Sequence, residues 1–453
     1  MNARILGVEL RRSIALWAGT MFLLTALAFL YGLSGPWWQP EAAWTAQWST
    51  AAQWERHLLV FLLPLATGAG ALQGLRDHRA GTRELLSATP RPVWQRAAVT
   101  AGALAIALAA AYLLLYGVAA VQVAAGGGFF HLGWVPAVGV GALSLVAAGW
   151  LGLGAGRTLP SALTPPALAV STLMAMYLVV GAWQEEPVPP VAQLSPALDN
   201  VRSVFHDVSG QVSLAQALWL LGVAATGFWL LLAASARARL AALLPAALGA
   251  AVALPMLPSG ADGLYSVNEA AAAPVCSGRV CVAKVHEDRL SRVAGPGEEA
   301  LRLLAGLPRP PGAVRESTRR EVVGERPARD AGIVFVDFDD PDLRGVTGER
   351  ELTRHLLAGA GTPSCLGFGG VDFDVWSREE AARRVAAGWL MGDVAAPLAR
   401  PLFRELNALI EEAWPKLHAV PEREQRARVA ALRTAALSCD GDLLAILTGG
   451  GGR

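Results

Sequence analysis

Leu58-Leu-Val-Phe-Leu-Leu-Pro-Leu-Ala-Thr-Gly-Ala-Gly-Ala-Leu-Gln-Gly-Leu75 contains no ionisable side chain, and Arg76-Asp-His-Arg79 ends it abruptly. A helix needs about 20 mostly apolar residues to cross the hydrocarbon core of a bilayer. Six further stretches meet that length or come close: residues 13–33, 97–124, 134–156, 158–183, 213–234 and 240–258. All seven lack Asp, Glu, Lys, Arg and His. Residues 1–258 therefore read as an all-α polytopic membrane domain of six to seven transmembrane helices. The first stretch follows Arg11 and Arg12 but is too long for a cleaved leader and lacks a small-x-small site, so it reads as a retained span.

Composition agrees with this. Of the 453 residues, 53% are hydrophobic and 17% charged, against about 25% charged in ordinary soluble domains. Such a chain is not intrinsically disordered, and a wholly water-soluble fold is not expected. A net charge of +1 removes the dense basic face a nucleic-acid binder needs. The charges are concentrated late: 25 of 38 Lys+Arg and 28 of 37 Asp+Glu follow Pro258. Residues 259–453 thus have the composition of a separate soluble domain.

Orientation follows from the arginines, because cytoplasmic loops retain positive charge. With the N-terminus inside, the inner segments hold Arg4, Arg11, Arg12, Arg76, Arg79, Arg83, Arg91, Arg96, Arg157, Arg237 and Arg239. The outer loops hold only Arg56 and Arg202. Seven crossings then put the C-terminal domain outside, in a bacterial plasma membrane. Trp37, Trp38, Trp44, Trp48 and Trp54 crowd the first outer loop, and Trp134, Trp150 and Trp183 fall near span ends. This reads as an aromatic belt, and the spacing of Trp44 and Trp48 suits a helix lying in the interface.

Between the second and third spans runs Arg76-Asp-His-Arg-Ala-Gly-Thr-Arg-Glu-Leu-Leu-Ser-Ala-Thr-Pro-Arg-Pro-Val-Trp-Gln-Arg96. Thr82 can cap a short helix whose positive end favours Glu84, and Pro90 and Pro92 stop it. The spacing predicts a brief cytoplasmic helix that presents Leu85 and Leu86. Read from these residues alone, an ordinary positive-inside loop remains the alternative.

The segment Gly81-Thr-Arg-Glu-Leu-Leu-Ser-Ala-Thr-Pro90 resembles the coupling helix of type-2 ATP-binding-cassette (ABC) transporter permeases, the bacterial exporter branch. The same family begins with a cytoplasmic amphipathic segment, like Glu9-Leu-Arg-Arg-Ser13 here, and carries its coupling loop after the second of about six core spans. The likeness covers about residues 1–258. A seventh span and a large outer domain depart from the minimal plan and resemble actinobacterial variants. The resemblance implies that Gly81, Thr82, Arg83, Glu84, Leu85 and Leu86 bind a separate ABC ATPase subunit. It also implies a permease dimer, homo- or heteromeric, with ATP and Mg held by the partner and no cofactor on this chain.

The sequence is consistent with that division of labour. A phosphate-cradling Walker loop needs Gly-x4-Gly-Lys-Ser/Thr, and the only lysines, Lys284 and Lys416, sit in Cys-Val-Ala-Lys-Val and Trp-Pro-Lys-Leu. An ion-coupled carrier would keep ionisable groups inside its spans, and the stretches above contain none. Pro165 and Pro166, inside the expected fifth span, are gating candidates because proline can kink or unwind a membrane helix. Uncharged spans suit a hydrophobic or amphipathic cargo.

All four cysteines, Cys276, Cys281, Cys365 and Cys439, lie in residues 259–453. An even count in a region assigned to the outside predicts two disulfides, Cys276–Cys281 and Cys365–Cys439 among the three possible pairings. The domain reads as α/β. Strands are expected at 279–285, 332–338 and 366–376, and helices at 348–358, 378–391, 396–417 and 422–437. Asp337, Asp339, Asp340 and Asp342 miss the calcium-loop spacing and read as a solvated turn. His286-Glu287 lacks the second histidine of a zinc-hydrolase helix, and there is no Gly-x-Ser-x-Gly elbow. No catalytic residue or metal site is expected, so the chain reads as a transporter subunit and not an enzyme. The alternative function is a non-transporting sensor or assembly factor whose outer domain binds a partner.

Overall fold

The computed structural model describes the chain except residues 1–2, 13, 35–42, 80–91, 184–187, 198–203, 260–262, 320–325, 339–342, 344–345, 347, 367–371, 395–402 and 451–453. It divides into two compact units, Met1–Asn268 and Glu269–Arg453.

The first unit is helical: α1 (Ala3–Arg12), α2 (Ala15–Ser34), α3 (Trp48–Arg79), α4 (Val93–Ala125), α5 (Trp134–Thr158), α6 (Thr164–Ala182), α7 (Gly210–Leu232), and the pair α8 (Ala236–Ala241) and α9 (Leu244–Ala253). Seven of these segments are long and apolar enough to cross a membrane, α8 and α9 counting together as Ala236–Met256. Large apolar side chains point outward: Trp17 and Met21 on α2, Leu178 on α6 and Leu248 on α9 are each more than half exposed. Such surfaces are unfavourable in water and match lipid.

Lipid offers apolar side chains no reason to leave it, so helices in a bilayer associate through close backbone packing between small residues. α3 and α5 do this along their inner lengths. A Cβ on Gly152 would stand 2.1 Å from the Thr67 carbonyl oxygen, and one on Gly70 equally close to the carbonyl of Gly149. Gly74 and Gly156 repeat the contact a turn further on, against Leu153 and Ala71. Gly154 then meets Gly227 of α7, and Gly222 of α7 meets Pro245 of α9. These glycines admit a neighbouring backbone where any side chain would collide.

Two sequence expectations change here. The fifth span does not start at 158: α5 ends at Thr158, and α6 starts at Thr164 with Pro165 and Pro166 in its first turn. Proline suits that position, because the amide hydrogens of the first turn have no intrahelical partner. The expected kink is therefore a helix start. Pro64, by contrast, lies inside α3. The boundary at 258 also moves. β1 (His206–Val208) pairs antiparallel with β2 (Tyr265–Val267), and the amide of Asn268 donates to the Phe205 carbonyl. The residues just after 258 thereby belong to the first unit.

The second unit is α/β, as expected. Its sheet has the order β3 (Pro274–Ser277), β4 (Val280–Ala283), β5 (Ala313–Glu316), β6 (Ile333–Val336), with β3 antiparallel to β4 and the other three parallel. Helix α10 (Leu290–Leu304) crosses from β4 to β5 and buries Val293, Gly297, Ala300, Leu301 and Leu304, one helical face. Gly297 lets it lie on the sheet, since a Cβ there would come 2.6 Å from Val280. Then follow α11 (Glu349–Leu357), α12 (Phe373–Met391), α13 (Arg404–His418), α14 (Glu422–Ser438) and α15 (Leu443–Thr448). The third expected strand is corrected: from Phe373 onward it is the start of α12, capped by the Asp372 carboxylate on the Asp374 amide.

Candidate functional site

The predicted coupling residues Gly81, Thr82, Arg83, Glu84, Leu85 and Leu86 lie outside the described residues, but their flanks do not. α3 ends at Arg79, and α4 starts at Val93 behind Pro92. Arg76, near the end of α3, donates to Glu9 of α1 at 2.8 Å, and the Ile14 amide reaches Gln73 at 3.3 Å. The amphipathic first helix is thus fastened to the turn of α3 from which the segment departs. The up-and-down order of the helices brings the C-terminal ends of α3, α5 and α7 to this same end of the unit, and with them Arg76, Arg79, Arg157 and the α8 arginines Arg237 and Arg239.

The opposite end holds a polar centre that the hydropathy reading missed. Arg56 is not in an outer loop. It belongs to α3, which starts ten residues before the apolar stretch quoted above, and it is fully buried. Its Nε donates to the Pro196 carbonyl at 2.8 Å and one terminal nitrogen donates to Gln216 Oε1 of α7 at 2.6 Å. Gln216 Nε2 donates in turn to the carbonyls of Gln193 and Ser195, and Gln193 Nε2 to those of Val188 and Pro258. Gln53 Nε2 reaches the His206 carbonyl at 2.6 Å. A buried guanidinium is tolerated only with such partners. The network ties α3 and α7 to residues 188–196 and to β1.

Glu55, beside Arg56, is different. It is also fully buried, but neither carboxylate oxygen has a hydrogen-bond partner among the described residues. On α4, the Tyr112 hydroxyl is likewise buried and unpartnered, and one turn on the Tyr116 hydroxyl donates to the Trp48 carbonyl at 3.2 Å, which sets this face of α4 against the start of α3. Tyr116 stacks on Trp134 at 4.8 Å, and Trp134 on Trp48 at 6.1 Å. The tryptophans are therefore partly core: Trp44 is buried against Tyr31 in a short turn rather than on an interfacial helix shared with Trp48, and Trp150 sits within α5, donating to the Ala101 carbonyl. Just outside the span, burial pushes the Asp207 carboxyl above its usual range, against the nearby His131 ring and a hydrogen bond from Asn268 that favour its charge.

In the second unit the disulfides join Cys276 to Cys281 and Cys365 to Cys439. The first closes the β3–β4 turn directly across the ladder. The second pins the 358–365 loop, where Gly359, Ala360 and Gly361 have positive φ. Three arginines hold the carbonyls of that loop: Arg433 on Ala360, Arg383 on Thr362 and Arg329 on Ser364. At the carboxyl ends of the parallel strands, Glu316 accepts from the Ala283 amide and meets His286 Nδ1 at 2.5 Å. Of the four clustered aspartates only Asp337 is described, and no metal-holding group of His, Cys, Asp or Glu occurs among the described residues.

Comparison with family models, with curated proteins and with solved structures returned no match. Assignment therefore rests on the residues themselves.

Proposed function

We propose that this chain is the membrane permease subunit of an ABC exporter, powered by ATP hydrolysis on a separate subunit that docks on residues 81–90. The observation that carries the reading is the Arg76–Glu9 clip: it joins the amphipathic first helix to the end of α3, so a push on the departing segment reaches two elements at once. The close α3–α5 backbone packing supports transmission, because helices in backbone contact shift as one body. The arginine-rich end faces the cytoplasm, and seven crossings carry the second unit outside, where an oxidising compartment maintains two disulfides. Two permease halves form the pathway.

A photocrosslinking amino acid at Leu85 or Leu86 is expected to capture a P-loop ATPase in native membranes. Capture of nothing from several positions within 81–90 counts against the proposal and favours a non-transporting sensor.

A further inference from the structure

Glu55 stands where a membrane protein rarely keeps a carboxylate. Ionisable groups at such depth are costly and mark ligand or ion pathways more often than scaffolding. Two internal comparisons argue against scaffolding here. Glu316 in the second unit is nearly as buried, yet each of its oxygens has a partner. Arg56, one residue on, donates to Pro196 and Gln216 and to neither oxygen of Glu55. Successive helical residues project about 100° apart, so adjacency in sequence does not by itself pair the two.

The α4 groups set against this part of α3 are chemistry for a cation. Tyr112 offers an unpartnered buried hydroxyl, and Gly141 makes room for it: a Cβ at that glycine would stand 2.1 Å from the phenolic oxygen. One turn along α4, Tyr116 begins the aromatic stack that continues through Trp134 to Trp48. A carboxylate combined with aromatic faces is the pairing that recognises organic ammonium and related cations. A buried carboxyl also favours a cation over anions and neutral molecules of the same shape, because only a cation offsets the desolvation of its charged form.

We infer that Glu55, with Tyr112 and the Tyr116–Trp134–Trp48 wall, forms a recognition site for an amphipathic organic cation, which is then the class of cargo. The inference rests on the permease reading for the word cargo but not for the site. Glu55 is fully buried in this conformation, so the cation enters only when α3 and α4 part.

The test uses the purified full-length chain in lipid nanodiscs, without nucleotide or ATPase, and two probes of matched shape and opposite charge, tetraphenylphosphonium and tetraphenylborate. Saturable phosphonium binding above that of empty nanodiscs is expected, with no saturable borate binding. Glu55→Gln is expected to weaken it at least tenfold, Glu55→Asp to retain preference for the cation, and Tyr112→Phe to weaken it by a smaller factor. Thermal stability of Glu55→Gln is expected to equal or exceed that of the parent, since no partner is lost. Equal binding of both probes, absence of saturable phosphonium binding, or unchanged affinity in Glu55→Gln overturns the inference. So does unfolding of Glu55→Gln, which would make the carboxylate structural. Cation binding by the purified chain, together with failure to capture any ATPase from positions within 81–90 in native membranes, would sink the permease reading alone, and nucleotide-driven export with charge-blind binding would sink the site alone.

Discussion

Removing the Cys365–Cys439 bond should cost the second unit far more than removing Cys276–Cys281, although both are single covalent links. The residues they join are 74 and 5 apart in sequence. In the chain-entropy description, closing loops of roughly 75 and 6 residues restricts the unfolded chain by about 4.5 and about 2 kcal/mol respectively. The larger bond also holds the 358–365 loop, whose positive-φ residues depend on their surroundings to stay in place. The perturbations are the paired alanine variants of each bond in the full-length protein. A single melting temperature is ill-defined for two units, so the assay is amide hydrogen exchange read by peptides from β4–β6, α12 and α14. Loss of about 4.5 kcal/mol corresponds to an opening equilibrium raised about two thousandfold, against about thirtyfold for the short bond. Equal effects, or a larger effect from the hairpin bond, would refute the loop-length reasoning. Formation of neither bond in cells would refute the outer placement of this unit as well.

Other consequences are equally open to measurement. Gly152→Leu drives a side chain into the Thr67 carbonyl and should part α3 from α5, lowering thermal stability in detergent by at least the 1–3 kcal/mol typical of overpacking; an unchanged melting curve would contradict the backbone contact. Arg56→Met removes charged donors to Pro196 and Gln216 and should cost about 3 kcal/mol, with Arg56→Lys a poor rescue because an ammonium lacks the guanidinium fork; full rescue by lysine would argue against the geometry. Burial raises the Asp207 carboxyl, so its contribution to stability is complete below the ordinary carboxylate range and is lost as pH rises through the raised value. Asp207→Asn should therefore flatten the decline of stability between acidic and neutral pH, and a parallel pH profile in the variant would count against it.

The spans were legible because hydropathy is a local property that a lipid environment rewards directly, and the cysteine pairs because parity and spacing leave few alternatives. The start of α3 was not. Gln53, Glu55 and Arg56 read as loop by polarity, and for Gln53 and Arg56 only tertiary partners, the His206 carbonyl and Gln216, make burial tolerable. One signal was available: Trp48, Ala52, Glu55 and Leu59 continue the helical period of the span without a breaker. Helix α10 was hidden by Gly295-Pro296-Gly297, residues that usually interrupt helices, of which Gly297 here serves close packing on β4. Leu366–Trp376 looked like strand through its alternation, yet the Asp372 cap decides for helix from Phe373.

The central claim is that force arrives from a second protein through residues 81–90. Affinity purification of the full-length chain from native membranes, with nucleotide hydrolysis measured on what is recovered, tests it most directly. A P-loop ATPase should co-purify and hydrolyse ATP, and replacing 81–90 by a Gly-Ser stretch of equal length should release it while leaving the chain folded. Recovery of the chain without any ATPase, or an ATPase still held by the replaced variant, would contradict the account.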